Sequence, residues 1–302
     1  MKLSYSLFSL FLFIITFSVS YSANSNAELM PSILSKPPLA KGQSWTIDFD
    51  QHQTGNYTEQ QLNSDWNKPK WIMGRNLISV IDGEQAYSGK SLKLTYLKGK
   101  SSCKHPRHCI LWRADLGTKL DKLYYGFRFK LSDDFDFIKG GKLPGISGGN
   151  GNTGGEIPNG KDGWSVRMMW NDEGKPVQYV YHPDQKGKYG DALFWNTQGK
   201  IPRGKWHTVQ TFVQLNTPKK KDGRIVTWFN GKKILEKEDL RFRDINGLEI
   251  DRFLFVSFFG GHGPEWAPQK DETAYIDDVR LSMTAPPFCI NETFDKSMAK
   301  EK

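Results

Sequence analysis

The strongest constraint on this chain is the two-residue alternation of a central run, Leu123-Tyr124-Tyr125-Gly126-Phe127-Arg128-Phe129-Lys130-Leu131. In an extended strand Leu123, Tyr125, Phe127, Phe129 and Leu131 share one face, and Tyr124, Arg128 and Lys130 share the other. A helix would scatter both sets around its axis. Shorter stretches repeat the pattern at Trp45–Phe49 and Leu92–Tyr96, and further strands are expected at 109–113, 165–170, 177–182, 206–215, 224–229, 252–259 and 274–281. Phe229-Asn230-Gly231-Lys232 has the composition of a two-residue hairpin turn. No segment carries convincing helical periodicity. Many strands joined by Gly, Pro and Asn turns predict an all-β chain, a sandwich of two antiparallel sheets whose concave face is open to a substrate.

The ends read differently. Met1-Lys2 followed by a Leu-, Phe- and Ile-rich run and small residues at Ser20 and Ser22 has the pattern of a secretory signal peptide over residues 1–22. Residues 23–42, rich in Ser, Pro and Asn, are expected to be a flexible arm, 43–284 a single domain, and 285–302 a tail. The expected protein is therefore secreted, extracellular or periplasmic, with no membrane association after cleavage, and monomeric. A formal net charge of +9 suits an anionic partner. For a secreted protein without a basic amphipathic helix, that partner is an acidic polysaccharide rather than nucleic acid or a lipid surface. Cys103 and Cys109 bracket a five-residue loop, and an oxidising compartment favours a disulfide between them; Cys289 is left over. The intervening His105 and His108 match no zinc-ligand spacing, and neither a metal nor any other cofactor is expected. The glycine-crowded stretch 139–163 is expected to form a long mobile loop with a functional role.

The chemistry concentrates on two segments flanking Asn171–Pro176. If Trp164–Trp170 and Val177–His182 form a hairpin, Val166, Met168 and Trp170 belong to the core. Ser165 and Arg167 then face outward, with Arg167 opposite Tyr179 or Tyr181. An Arg, a Ser and two tyrosines on one surface suit β-elimination from a uronate. That reaction removes the proton on C5, beside the carboxylate, and expels the oxygen on C4. A cation on the carboxylate stabilises the enolate-like transition state, and Arg167 and Lys142 are the candidates. A phenol has a pKa near 10, and adjacent positive charge favours its phenolate, so Tyr179 and Tyr181 are candidates for base and acid. Arg113 and Arg128 are further candidate substrate-binding cations.

These residues resemble polysaccharide lyase family 14, the alginate and glucuronan lyases. The likeness rests on Gly140-Gly141-Lys142-Leu143-Pro144-Gly145, on Ser165-Val166-Arg167 followed by Met168-Met169-Trp170, and on Tyr179-Val180-Tyr181. Weaker likeness extends through Phe258-Phe259-Gly260-Gly261 and Tyr275-Ile276-Asp277-Asp278-Val279, so that it spans about Trp45 to Leu281. The resemblance implies a β-jelly roll and metal-independent elimination. It implies that Lys142 and Arg167 handle the carboxylate, that Ser165 helps bind substrate, and that Tyr179 and Tyr181 carry the proton transfers, without fixing which is base.

Other readings are weaker. Gly145-Ile146-Ser147-Gly148-Gly149 matches G-x-S-x-G, but a glycine-rich stretch follows where a nucleophile elbow requires a helix. A glycosidase needs two carboxylates across the scissile bond, and Glu249-Ile250-Asp251 is the only close pattern on a strand edge. A non-catalytic module that binds acidic polysaccharides is the alternative from another class. For it Trp195 and Trp266 are the candidate exposed stacking residues, but a binder has no use for the Lys–Arg–Tyr–Tyr set.

Overall fold

A computed structural model describes Leu39, residues 44–196 and 199–284, and Phe288. The expected signal peptide, Cys289 and the tail but for Phe288 lie outside these residues, as does the arm apart from Leu39. The described chain forms two antiparallel sheets packed face to face, a β-jelly roll.

The nine-stranded sheet contains β1 (Ser44–Ile47), β2 (Gly55–Asn56), β4 (Ile78–Ile81), β5 (Ser91–Tyr96), β7 (Lys122–Leu131), β12 (His207–Gln214), β13 (Gly223–Phe229), β14 (Lys232–Leu240) and β16 (Glu272–Ser282). Their order is β14-β13-β12-β7-β16-β5-β4-β2, with β1 also on β16. The seven-stranded sheet has the order β11-β10-β9-β8-β15-β6-β3, from β3 (Lys70–Met73), β6 (Ile110–Leu120), β8 (Gly140–Gly149), β9 (Gly163–Asn171), β10 (Pro176–Tyr181), β11 (Asp191–Phe194) and β15 (Ile250–Phe259). Among the described residues one short α-helix, α1 (Glu59–Asp65), and three single-turn 3-10 helices interrupt the pattern. The α-helix is started by a capping box in which Thr58 and Gln61 satisfy each other's backbone N–H groups. Among the described residues no helix is long and apolar enough to cross a membrane.

Alternation predicts the core correctly. Leu123, Tyr125, Phe127, Phe129 and Leu131 are all buried between the sheets, where they meet Trp112, Trp170, Phe253 and Phe255 from the other layer. Trp195, expected to be exposed, is also buried, with its ring against Phe229. Trp228 packs in a separate small cluster with Tyr124, Phe212 and Val226. A polar link also crosses the core. Gln178 donates to Tyr125 Oη (3.0 Å) and accepts from Thr227 (3.1 Å), which ties β10 to the opposite sheet.

The glycine-rich stretch departs most from expectation. Residues 140–149 form a buried strand, β8, flanked by β9 and β15, rather than a mobile loop; irregular chain begins only at about Asn150. The glycines permit close approach of the neighbouring strands. A Cβ on Gly141 would lie 2.1 Å from the Trp170 ring, and one on Gly145 would lie 2.0 Å from the Val166 carbonyl oxygen. The Gly-x-Ser-x-Gly pattern is thus a continuous strand with no elbow. Because a backbone atom blocks Gly145, Gly145→Ala is expected to destabilise the fold by about 2–3 kcal/mol. Thermal denaturation checks this, and an unchanged melting temperature would refute the close-approach account.

Candidate active site

The hairpin pairs the two key segments in the register that alternation requires. Tyr179 lies opposite Arg167 and Tyr181 opposite Ser165. On the other side of β9, Gly145 pairs with Arg167 and Ser147 with Ser165, whereas Lys142 pairs with Met169. Three residues of β8 therefore span two of β9, a bulge at Leu143-Pro144. In a regular strand residues three apart, such as Lys142 and Gly145, would face opposite ways; the bulge turns Lys142 onto the face that carries Arg167. Pro144 has no N–H to lose at such a position.

That face is not bare. Arg167 is only 3 % exposed and Lys142 8 %, and Ser165 and Tyr181 are buried as well; Tyr179 alone of the five is half-exposed. The segment after β8 supplies part of the cover. Gly155 N–H donates to Tyr181 Oη (3.1 Å), and Ser165 Oγ donates to the Asn152 carbonyl (2.8 Å). Lys142 Nζ donates to the Gly260 carbonyl (3.1 Å) beyond β15. The two phenol rings meet edge to face at 5.6 Å, with the Arg167 guanidinium 5.4 and 5.6 Å from their centres and Lys142 Nζ 5.0 Å from that of Tyr179.

The electrostatics of this cluster are unusual. Arg167 makes no side-chain hydrogen bond or ion pair among the described residues, and its Nε is buried without a partner. A buried guanidinium is ordinarily paired with a carboxylate. Here burial, opposed by the phenols, lowers its pKa. Lys142 is pulled down to about 7, first by burial and then by the charge on Arg167. Tyr179 moves upward, through burial and then the neighbouring Tyr181, with Arg167 pulling the other way. Two cations and two phenols thus lie together, and among the described residues no carboxylate pairs with either cation.

The remaining candidates separate. Arg113 on β6 shares a face with Arg167, since the register runs Arg167–Gly145–Leu254–Arg113 across the sheet. Arg128 does not join the site. It lies on β7 in the other sheet, where it is ion-paired with Asp278 (3.0 Å), hydrogen-bonded to Thr208 and stacked on Tyr87. Alternation placed it on an outward face but did not say of which sheet. Cys103 and Cys109 form the expected disulfide. His182, next to Tyr181, is buried against Asp191 (2.9 Å). Sequence reasoning missed the Gly155 and Asn152 backbone contacts, for which an irregular segment carries no local signal.

A family model described as polysaccharide lyase 14 matches residues 84–279. Among solved structures, the alginate lyase Aly36B is 27 % identical with a TM-score of 0.70, over 82 % of this chain and 99 % of that one. A mutant of that enzyme has been crystallised with an alginate tetrasaccharide. The PL-14 alginate lyase from Aplysia kurodai is 24 % identical with a TM-score of 0.66, over 78 % of this chain and 97 % of that one, a likeness of fold. No curated protein matches.

A buried cation without a counter-ion costs stability. Lys142→Met is therefore expected to stabilise the fold by about 1–2 kcal/mol at pH 7 while impairing activity. The sign with pH follows from the depressed pKa. Between about 7 and 10.5 the unfolded chain binds a proton on this lysine that the folded chain does not, so the wild type gains stability as pH rises through that window. Melting curves at pH 7 and 10 should show the advantage of Lys142→Met shrinking as pH rises; a constant advantage would contradict it.

Proposed function

The chain belongs to polysaccharide lyase family 14, and on that premise we propose that it cleaves a uronate-containing acidic polysaccharide, alginate (polymannuronate) or glucuronan, by metal-independent β-elimination. The observation that supports this reading is the buried Arg167, which has no hydrogen-bond or ion-pair partner among the described residues. A pocket that holds a guanidinium in low dielectric with no carboxylate is complementary to a ligand that brings one. Pairing the uronate carboxylate with Arg167 withdraws charge from C5 as its proton leaves, and a preorganised cation stabilises the enolate-like transition state without moving. The C5 proton passes to a base, the C4–O bond breaks, an acid protonates the departing oxygen, and a C4–C5 double bond remains on the new non-reducing end. Tyr179 and Tyr181, 5.6 Å apart and both beside Arg167, are the proposed pair for these transfers. Tyr179 is held protonated by burial and the neighbouring Tyr181, the state an acid needs, which leaves Tyr181, bonded by the Gly155 N–H, as the proposed base.

One observation favours a second assignment for Lys142. With a pKa near 7 it is about half neutral at neutral pH, so it is a poor permanent counter-charge and a serviceable proton acceptor. The two roles have opposite signs. If Lys142 must be charged, kcat/KM falls as pH rises through about 7; if its neutral amine accepts the proton, kcat/KM rises there. The signal-like N-terminus and the disulfide support secretion as the setting, and the protein is proposed to act as a monomer.

The test follows the ultraviolet absorbance of unsaturated uronate ends, in excess EDTA, on mannuronate, guluronate and glucuronate polymers. The wild type should produce the signal on at least one. Tyr179→Phe and Tyr181→Phe should each lower turnover by about 10²–10⁴. Full turnover by both variants would overturn the tyrosine assignment, and activity abolished by EDTA would overturn metal independence.

A further inference from the structure

The face that carries Arg167 continues past it. Stepping from β9 through β8 and β15 to β6, the paired residues are Arg167, Gly145, Leu254 and Arg113, and Arg113 in turn pairs with Lys70 on β3. Paired residues share a face, so Arg113 presents to the same side of the sheet as the proposed carboxylate-binding arginine, with no side chain at Gly145 and the buried Leu254 side chain between them. Arg113 has no side-chain hydrogen bond or close ion pair among the described residues; Glu156 and Asp251 act on it only at longer range, against burial and the neighbouring Arg252, which is itself tied to Asp251 (2.7 Å).

Over Arg113 lies Trp71. Its ring centre is 5.0 Å from the guanidinium, and it is 69 % exposed, the most exposed large hydrophobic residue described. Trp71 also sits at φ +60°, a left-handed conformation that bulky side chains rarely adopt, where the β3–β6 register shifts between Lys70 and Met73. A tryptophan held outward by a strained backbone, beside a half-buried arginine lacking an ion-pair partner, requires a reason other than packing. Trp71 precedes residues 84–279, so family membership assigns it nothing.

We propose that Trp71 and Arg113 form a distal subsite for the same acidic polysaccharide: the indole stacks on a sugar ring, and the guanidinium takes that sugar's carboxylate. This rests on the uronate-lyase reading and extends it. The subsite lies three inter-strand steps of ~4.8 Å from Arg167, about 14 Å or roughly three sugar units along a polymer that crosses the strands. The exposed face of Trp71 and the positive charge beneath it match one occupant, a flat sugar face bearing an anion. The subsite grips long chains and leaves the chemistry at Tyr179 untouched.

The experiment compares wild type, Trp71→Ala and Arg113→Ala on an alginate polymer and on the shortest oligosaccharide that is cleaved. Trp71 is so exposed that its replacement should leave the melting temperature unchanged. KM for the polymer should rise about tenfold in each variant, and in Trp71→Ala kcat and all constants for the short substrate should be unaltered. Unchanged polymer KM, or equal losses on long and short substrates, would overturn the subsite. Affinity electrophoresis in alginate-containing gels separates this from the lyase reading. If the wild type forms no unsaturated ends on any uronate polymer, elimination fails as a proposal, yet retardation of the wild type that is lost in Trp71→Ala still supports the subsite. Equal retardation, or none in the wild type, overturns it.

Discussion

Arg167 is a buried positive charge for which the described protein supplies no ion-pair partner, and the other features of the site follow from how it is held there. The bulge at Leu143-Pro144 brings Lys142 to its side, and the register of β9 with β10 brings two phenols against it. Glycines in β8 let the strands close around it, and the segment 150–162 covers it by bonding Tyr181 and Ser165. Burial under the covering segment and the second cation, Lys142, raise the local cost of positive charge, and the two phenols partly offset it. A fold selected for stability alone would place a carboxylate or an apolar side chain here. On the proposed reading, a carboxylate of the substrate placed beside Arg167 offsets that cost.

The same field divides the titrating groups. The Arg167 guanidinium lies 5.4 Å and the Lys142 amine 5.0 Å from the Tyr179 ring centre; burial and Tyr181 push Tyr179 upward, while burial and Arg167 bring Lys142 down to about 7. Groups so separated can hold and release a proton at one working pH, the physical requirement for removing one proton and delivering another within a single elimination. The polar bridge from Gln178 to the opposite sheet anchors the backbone between Val177 and Tyr179, so the register that aligns the phenols is fixed from within the core.

Much of this was legible in the sequence, for a local reason. A period of two fixes which residues share a face, and a hairpin with an apolar core side admits one register parity; hence Arg167 opposite Tyr179 or Tyr181 follows from the residues alone, and the structure selects Tyr179. Three things did not follow. Composition could not tell a flexible glycine run from a strand squeezed between bulky neighbours, because the Trp170 ring and the Val166 carbonyl that require Gly141 and Gly145 lie elsewhere in the chain. Alternation could not say that Arg128 and Arg167 belong to different sheets, since both sit on outward faces. Nor could it anticipate that Arg167 is covered, or that a β-bulge aims Trp71 outward, because both depend on irregular backbone rather than on a repeating pattern.

The central claim is that the pocket recognises a carboxylate. Its most direct test is titration calorimetry of the Tyr179→Phe variant with a uronate oligosaccharide and with the same oligosaccharide after its carboxylates are reduced to alcohols. The account predicts that the charged ligand binds and the neutral one does not, and that Arg167→Met in the same background abolishes the difference. Equal binding of both ligands, or a difference that survives loss of Arg167, would contradict it.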